Sequence, residues 1–318
     1  MIRRLNHHAR ASLISGHGWA LAAALIWSVN FPLIKIVRRE LDATTLVGLR
    51  FEIAATMVLA LWLAVRRPRL RGLGVRGWIL VILMTALIGP LYQVLLASGA
   101  PGTSAGLIGL IIASQSLHTA WLAAILLHER FGWRQVAALA IGFLGLAAPI
   151  LWSGNITYVA PLFPLLVFAA SLVAPLNTVI PRMLHRHVES FDLATLVMVL
   201  AGVMCLPMFT PTALGQLGDL SVSGWSAMLW LGSIGHAGAF MMWYAALRKL
   251  SAVSTGFYLF VMMLGSTFWG WLILDETLST TYALAALAVA LGLWLNATAA
   301  SGGRRPHQQT AMLATTEA

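Results

Sequence analysis

Residues 43–76 read ATTLVGLRFEIAATMVLALWLAVRRPRLRGLGVR. The first 23 of these residues are apolar except for a few threonines and the Arg50/Glu52 pair, and the last eleven carry five arginines. At 1.5 Å per residue, a helix of 23 residues crosses the roughly 30 Å of hydrocarbon in a bilayer. A basic stretch directly behind such a span marks the cytoplasmic side. This segment therefore predicts a transmembrane helix that ends on the inside of a membrane.

The rest of the chain repeats the pattern. Apolar runs of span length fall at 18–36, 43–65, 77–98, 103–127, 133–152, 157–180, 191–210, 224–246, 252–274 and 280–299. The sixth is interrupted by Pro161, Pro164 and Pro175, and the seventh ends at Pro207 and Pro211. Over all 318 residues, 59% are hydrophobic, 9% are charged, and mean hydropathy is +0.84. A soluble domain is about 25% charged, so an ordinary water-soluble enzyme and a disordered chain are both excluded. The single cysteine, Cys205, excludes an internal disulfide and a cysteine metal cluster. The run that follows Arg3, Arg4 and Arg10 continues from Trp19 to Val37, too long for a signal peptide, and reads as a retained first span.

The net charge of +10 would suggest nucleic acid in a soluble protein. With the N-terminus inside, however, the inner segments hold Arg3, Arg4, Arg10, Arg66, Arg67, Arg69, Arg71, Arg76, Arg130, Arg134, Arg182, Arg186, Arg248, Lys249, Arg304 and Arg305. These are 16 of the 20 basic residues. The charge is thus an orientation signal, and no nucleic-acid partner is implied. The first outer loop is the exception, because Lys35, Arg38 and Arg39 sit there with Glu40 and Asp42.

The chain also repeats itself. A shift of 147 places Glu129 on Glu276 and Gly145 on Gly292. Ser104-Ala105-Gly106 falls on Ser254-Thr255-Gly256 at a shift of 150, and Ser28 and Pro32 on Ser171 and Pro175 at 143. Five spans per copy is an odd number, so the second copy must be inverted, as in many secondary transporters. The expected fold is all-α and polytopic, with ten transmembrane helices as two inverted five-helix repeats. Its expected divisions are a cytoplasmic tail (1–17), a first repeat (18–152), a second repeat (157–299) and a disordered cytoplasmic tail (300–318).

These features resemble the EamA-type family of the drug/metabolite transporter superfamily. The first copy carries the resemblance in Ala24-Leu25-Ile26-Trp27-Ser28-Val29-Asn30-Phe31 with Lys35, in Gly48-Leu49-Arg50-Phe51, in Ser104-Ala105-Gly106, and in Glu129 with Gly142 and Gly145. The second copy keeps Glu276 and Gly292. The resemblance implies a carrier of small metabolites, often an exporter of amino acids or related compounds. Glu52 departs from it, since the family has an apolar residue there.

Polar residues inside spans are costly and mark functional or packing sites. Arg50 reads either as a gate or an anchor for a carboxylate, or as a structural residue that caps backbone carbonyls or snorkels outward. Glu52, two positions on, faces elsewhere and is a candidate for proton coupling, for a helix–helix hydrogen bond or for a water-facing placement. Ser114, Gln115 and His118 read as one polar stripe on the fourth span. His118 is also a proton-coupling candidate; a lone intramembrane histidine such as His236 is more often a hydrogen-bonded helix contact, and the stripe favours a functional role for His118. Trp27, Asn30, Tyr92, Gln93, Trp243 and Tyr244 complete a set that suits amphipathic solutes if it faces inward. Glu129 and Glu276 are expected to be structural, accepting the first amide protons of the next helix. Most methionines are expected to face lipid. Ala138/Gly142 and Ala286/Ala290 have the small-xxx-small spacing of close helix contacts.

No Walker loop, Gly-x-Gly-x-x-Gly, His-Glu-x-x-His or Gly-x-Ser-x-Gly is present. No cofactor or metal is expected, and the chain is not read as an enzyme. The expected function is export of a small amphipathic metabolite across a bacterial inner membrane by alternating access, with both termini cytoplasmic. A multidrug exporter is the alternative; an intramembrane enzyme using His118 and His236, or a non-transporting scaffold, are more remote. The partners are a small-molecule substrate and the lipid bilayer, with the chain a monomer or homodimer.

Overall fold

A computed structural model describes residues 2–65, 73–103, 105–129, 132–152, 159–276, 278 and 282–302. Most of the basic segment 66–76, Ser104, Arg130 and the tail from 303 onward lie outside these residues. No described residue forms a strand. Ten long helical runs succeed one another among the described residues: α1 (Ile2–Val37), α2 (Ala43–Val65), α3 (Val75–Gly99), α4 (Leu107–Leu126), α5 (Trp133–Trp152), α6 (Leu162–Leu184), α7 (Ser190–Met208), α8 (222–247), α9 (Ala252–Leu274) and α10 (Tyr282–Gly302), with a short eight-residue helix, Pro211–Gly218, between α7 and α8. Seven are long and apolar enough to cross a membrane, and α5 and α10 contain shorter apolar helices. Large apolar side chains such as Leu63, Trp121, Trp133 and Leu287 stand two-thirds or more exposed. That surface is stable against lipid tails and not against water.

The two repeats interlock. Helix α1 packs on α8 and α9, while α6 packs on α3 and α4. Helices α2 and α7 pair with each other, as do α5 and α10. Each of these contacts is carried into another, or into itself, by exchanging the repeats. The α5–α10 contact is close because glycines stand in it: a Cβ on Gly145 would lie 2.2 Å from that of Ala288, and one on Gly292 3.0 Å from the Ala138 carbonyl. The small residues at this interface are therefore Ala138, Gly145, Ala288 and Gly292, in the small-residue mode of membrane helix packing.

The backbone also obeys the 147-residue shift. His128 (φ 53°) and Asp275 (φ 55°) are the positive-φ non-glycine residues of the described chain. Each follows the end of its repeat's fourth helix. The next amide, of Glu129 or Glu276, then turns back 3.3 Å onto a carbonyl six residues earlier, that of Ala123 or Gly270.

Five interior breaks set which way side chains point, two of them single-residue interruptions at Ser114 in α4 and Phe257 in α9. Helix α3 widens to a π turn at Leu87–Leu91, which absorbs Pro90, and α8 does so at Ser233–Gly238. The two π turns are repeat-equivalent within one residue. Helix α6 breaks at Ala174-Pro175, because Pro175 has no N–H for the Ser171 carbonyl.

Candidate functional site

A cavity opens between the repeats. Its walls come from α1 (Trp27, Asn30, Phe31, Ile34), α2 (Arg50), α3 (Ile88, Tyr92, Gln93, Leu96), α4 (Gln115, Thr119), α6 (Ala174, Asn177, Thr178), α8 (Phe240, Trp243) and α9 (Leu259, Met262). Both π turns and the Pro175 break lie beside it, where displaced backbone exposes polar groups.

Arg50 sits seven residues into α2 and is 3% exposed. Its Nε donates to the Leu231 carbonyl at 3.2 Å, just before the α8 π turn, and its Nη1 donates to Gln93 Oε1 at 3.0 Å. Arg50 thus caps a backbone carbonyl, as its structural reading expects, and it also lines the cavity. Among the described residues no carboxylate lies within 4.0 Å of it. A buried cation without a counter-ion is costly, and the cavity is where an anion could relieve that cost.

The other polar groups are arranged around it. Asn30 Nδ2 donates to the Gly235 carbonyl inside the π turn at 2.9 Å. Tyr244 donates its hydroxyl proton to Asn177 Oδ1 at 2.8 Å, which turns the amide NH2 of Asn177 to other partners. The aromatic wall is built by Trp27, whose ring centroid lies 5.1 Å from those of both Phe240 and Trp243.

Seven of the ten substrate-site candidates line this cavity: Trp27, Asn30, Arg50, Tyr92, Gln93, Gln115 and Trp243. Tyr244 stands behind it as the support for Asn177. His236 is 1% exposed and packed between Phe51 and Phe240, each with its ring centroid 4.7 Å from the imidazole. His118 turns to α6, where its Nδ1 donates at 3.3 Å to the Ser171 carbonyl. That is the carbonyl Pro175 leaves free, so His118 fills the role of a hydrogen-bonded helix contact. The polar stripe of α4 is split accordingly. Gln115 and Thr119 face the cavity, while Ser114 bonds back to the Ile111 carbonyl at 2.6 Å. Glu52 lies against Gly202 of α7, away from the cavity, with Oε1 buried and without a hydrogen-bond partner.

Among the described residues, the two glutamates at helix ends bridge the repeats; the segments that enter the next helices lie in part outside the described residues. Glu129 accepts the Ala252 amide of α9 at 3.2 Å and pairs with Arg182 at 3.6 Å. Glu276 pairs with Lys35 of α1 at 2.5 Å. Met262 and Met263 are buried rather than lipid-facing, and Met262 lines the cavity.

Asn177, Thr178, Thr119 and Phe240 line the cavity unanticipated by the sequence. Asn177 carried the same signal as Asn30, an amide within an apolar span, but the prolines around it obscured its face.

A model of the EamA-like transporter family matches residues 14–150 and, a second time, residues 162–298. A probable terminal-alkyne amino-acid exporter of Streptantibioticus cattleyicolor is 28% identical over 243 residues, which cover 74% of this chain and 78% of that protein. A probable amino-acid metabolite efflux pump of Escherichia coli K12 is 24% identical over 286 residues, covering 87% and 93%. One solved crystal structure superposes with a TM-score of 0.68 at 20% identity, covering 93% of this chain and 99% of that one. That likeness concerns the fold.

Proposed function

The chain belongs to the EamA-like transporter family, and from that premise we propose that it exports a small amphipathic metabolite bearing a carboxylate, an amino acid or a related compound. The observation that carries this reading is Arg50, a buried cation without a carboxylate partner among the described residues, on the wall of a cavity between the repeats. A carboxylate docked there would meet a charge-assisted donor, and the Trp27, Phe240 and Trp243 rings would cover an apolar side chain. The names of the two relatives above support an amino-acid-like solute.

The two interlocked repeats support alternating access by rocking around this cavity. The sequence carries no Walker or Gly-x-Gly-x-x-Gly motif, which supports a gradient as the driving force. Glu52 and His118 remain the proton-coupling candidates, and neither reaches the cavity wall. The placement that suits the basic segments is a bacterial inner membrane with both termini cytoplasmic. The alternative is multidrug export, which the aromatic wall would serve. A cavity for cationic drugs would want a lining carboxylate, and none of the described lining residues is acidic.

The test is counterflow in proteoliposomes with the twenty standard L-amino acids, radiolabelled, as probe. Wild-type protein should exchange at least one of them without ATP, and Arg50→Ala should not. Equal exchange by Arg50→Ala, or no exchange of any of the twenty by the wild type, would remove the carboxylate reading.

A further inference from the structure

A second recess lies beyond the cavity, at the far end of α1. It is lined by Lys35, Arg38, Arg39, Pro101, Leu274 and Glu276. Its walls continue those of the cavity. On α1, Ile34 lines the cavity and Lys35 the recess. On α3, Leu96 lines the cavity, and the next residue, Ala97, accepts a hydrogen bond from Arg38 Nε at 3.0 Å. The recess is thus the next compartment along the same two helices.

Its lining is net basic, although Asp42 acts on Arg38 from outside the lining. Three basic side chains face one carboxylate, Glu276, which is held by Lys35 at 2.5 Å. Arg38 also donates to the Leu41 carbonyl, whereas Arg39 is exposed at the rim. These are the basic residues that break the orientation rule, since cations on the outer side oppose the preferred insertion. Orientation gives no reason for them to be there, and packing gives none for Arg39.

Glu276 also has a counterpart. Under the 147-residue shift it falls on Glu129, which follows the same positive-φ residue, shows the same turned-back amide and ties the end of α4 to α6 and α9 of the other repeat. In an inverted pair these two bridges lie toward opposite faces of the membrane. Each joins the fourth helix of one repeat to the first helix of the other, and so spans the seam along which the repeats would part.

We propose that the Lys35–Arg38–Arg39 recess is a second binding site, which receives the carboxylate of the outgoing solute, and that Glu276 is the internal carboxylate it displaces. The proposal rests on the reading that the solute carries a carboxylate. A carboxylate arriving from Arg50 takes the place of Glu276 on Lys35, so the ammonium keeps an anionic partner throughout. The displaced Glu276 frees the end of α9 from α1, and the outer mouth opens with the solute already in it. Opening is then tied to cargo. An empty carrier stays latched, which limits leak.

The experiment reads the latch without needing to know the solute. Leu96→Cys, in a Cys205→Ala background, is labelled from outside by a membrane-impermeant maleimide in right-side-out vesicles. Glu276→Gln should speed labelling by about fivefold, the most that a partly exposed ion pair of this kind is worth. The exchanged pair Lys35→Glu with Glu276→Lys should return the slow rate. Sodium benzoate should speed labelling of the otherwise wild-type protein but not of Glu276→Gln, and neutral benzamide should affect neither. Labelling of Glu276→Gln at the unsubstituted rate, or equal effects of benzoate and benzamide, would overturn the proposal. If labelling behaves as expected while Arg50→Ala still exchanges amino acids, the cavity reading fails and the latch stands. If Arg50 is essential and labelling is indifferent to Glu276, the reverse holds.

Discussion

Replacing Arg50 with methionine should separate what this residue does for folding from what it does for binding. In the folded chain its guanidinium makes two hydrogen bonds, to the Leu231 carbonyl and to Gln93 Oε1. Leaving each acceptor unsatisfied costs about 1–3 kcal/mol. Against this, the substitution removes a buried charge that has no carboxylate among its described neighbours, and relief of that desolvation contributes several kcal/mol in the other direction. The two effects are of similar size, so the ligand-free variant should stay within about 2 kcal/mol of the wild type. Binding has no such compensation. A carboxylate that loses a charge-assisted pair forfeits about 3 kcal/mol, a weakening of roughly a hundredfold. The assay is thermal unfolding of purified protein, with and without the amino acid that scores best in exchange, since a ligand of the native state raises apparent stability. The ligand-free midpoint should hardly move and the ligand-induced rise should vanish. An intact rise in Arg50→Met would refute the anchor. A collapse of the ligand-free protein would show that capping Leu231 matters more than the buried charge.

Three further outcomes follow from the geometry. Gly145→Ala should destabilise the protein by about 1–3 kcal/mol, read as a lower unfolding midpoint, because its Cβ would stand 2.2 Å from that of Ala288. His118→Ala leaves the Ser171 carbonyl without the partner it has at 3.3 Å; unfolding should ease by about 1–3 kcal/mol while solute affinity is kept, and a loss of affinity alone would return His118 to the binding site. Asp42 accepts the Thr45 amide at 2.8 Å and both threonine hydroxyls at the start of α2. Burial pushes its carboxyl up, and these hydrogen bonds outweigh that and hold it below the usual value of 3.8. Its contribution is therefore complete above about pH 4 and fades as pH falls through the lower folded-state value. Asp42→Ala should cost about 1 kcal/mol at neutral pH, and its midpoint should converge with that of the wild type on acidification.

The ten spans and the duplication were legible because both depend on composition along the chain. Apolar length alone places α2, and the 147-residue shift found in letters reappears in the matching φ angles of His128 and Asp275. The cavity was legible where helices run unbroken up to it: Trp27, Asn30 and Arg50 face it as their spacing suggests. Past a break it was legible in part: Tyr92, Gln93 and Trp243 lie beyond π turns and face the cavity as expected, whereas Asn177 and Phe240 also lie beyond breaks and were missed. A π turn inserts one residue, which rotates everything beyond it by about 100°. The turn at Ser233–Gly238 withdraws His236 from the cavity, while Phe240 and Trp243, beyond it, line the wall. Gln115 and His118 both follow the interruption at Ser114 and share one helix, yet Gln115 lines the cavity while His118 bonds the Ser171 carbonyl beside it. The partner of His118 was implicit in Pro175, which announces a free carbonyl four residues earlier but not which helix will answer it.

The interlocking of the repeats also constrains how the protein is made. Helix α1 leaves the ribosome well before its main neighbours, α8 and α9, which belong to the second repeat. Asn30 must enter the membrane 205 residues ahead of Gly235, whose carbonyl it bonds. At about 5–20 residues per second, that is a wait of about 10–40 s with a buried amide unsatisfied. During that interval the insertion machinery, a chaperone or a provisional neighbour has to shelter α1, and a chain stopped after the first repeat would never release it.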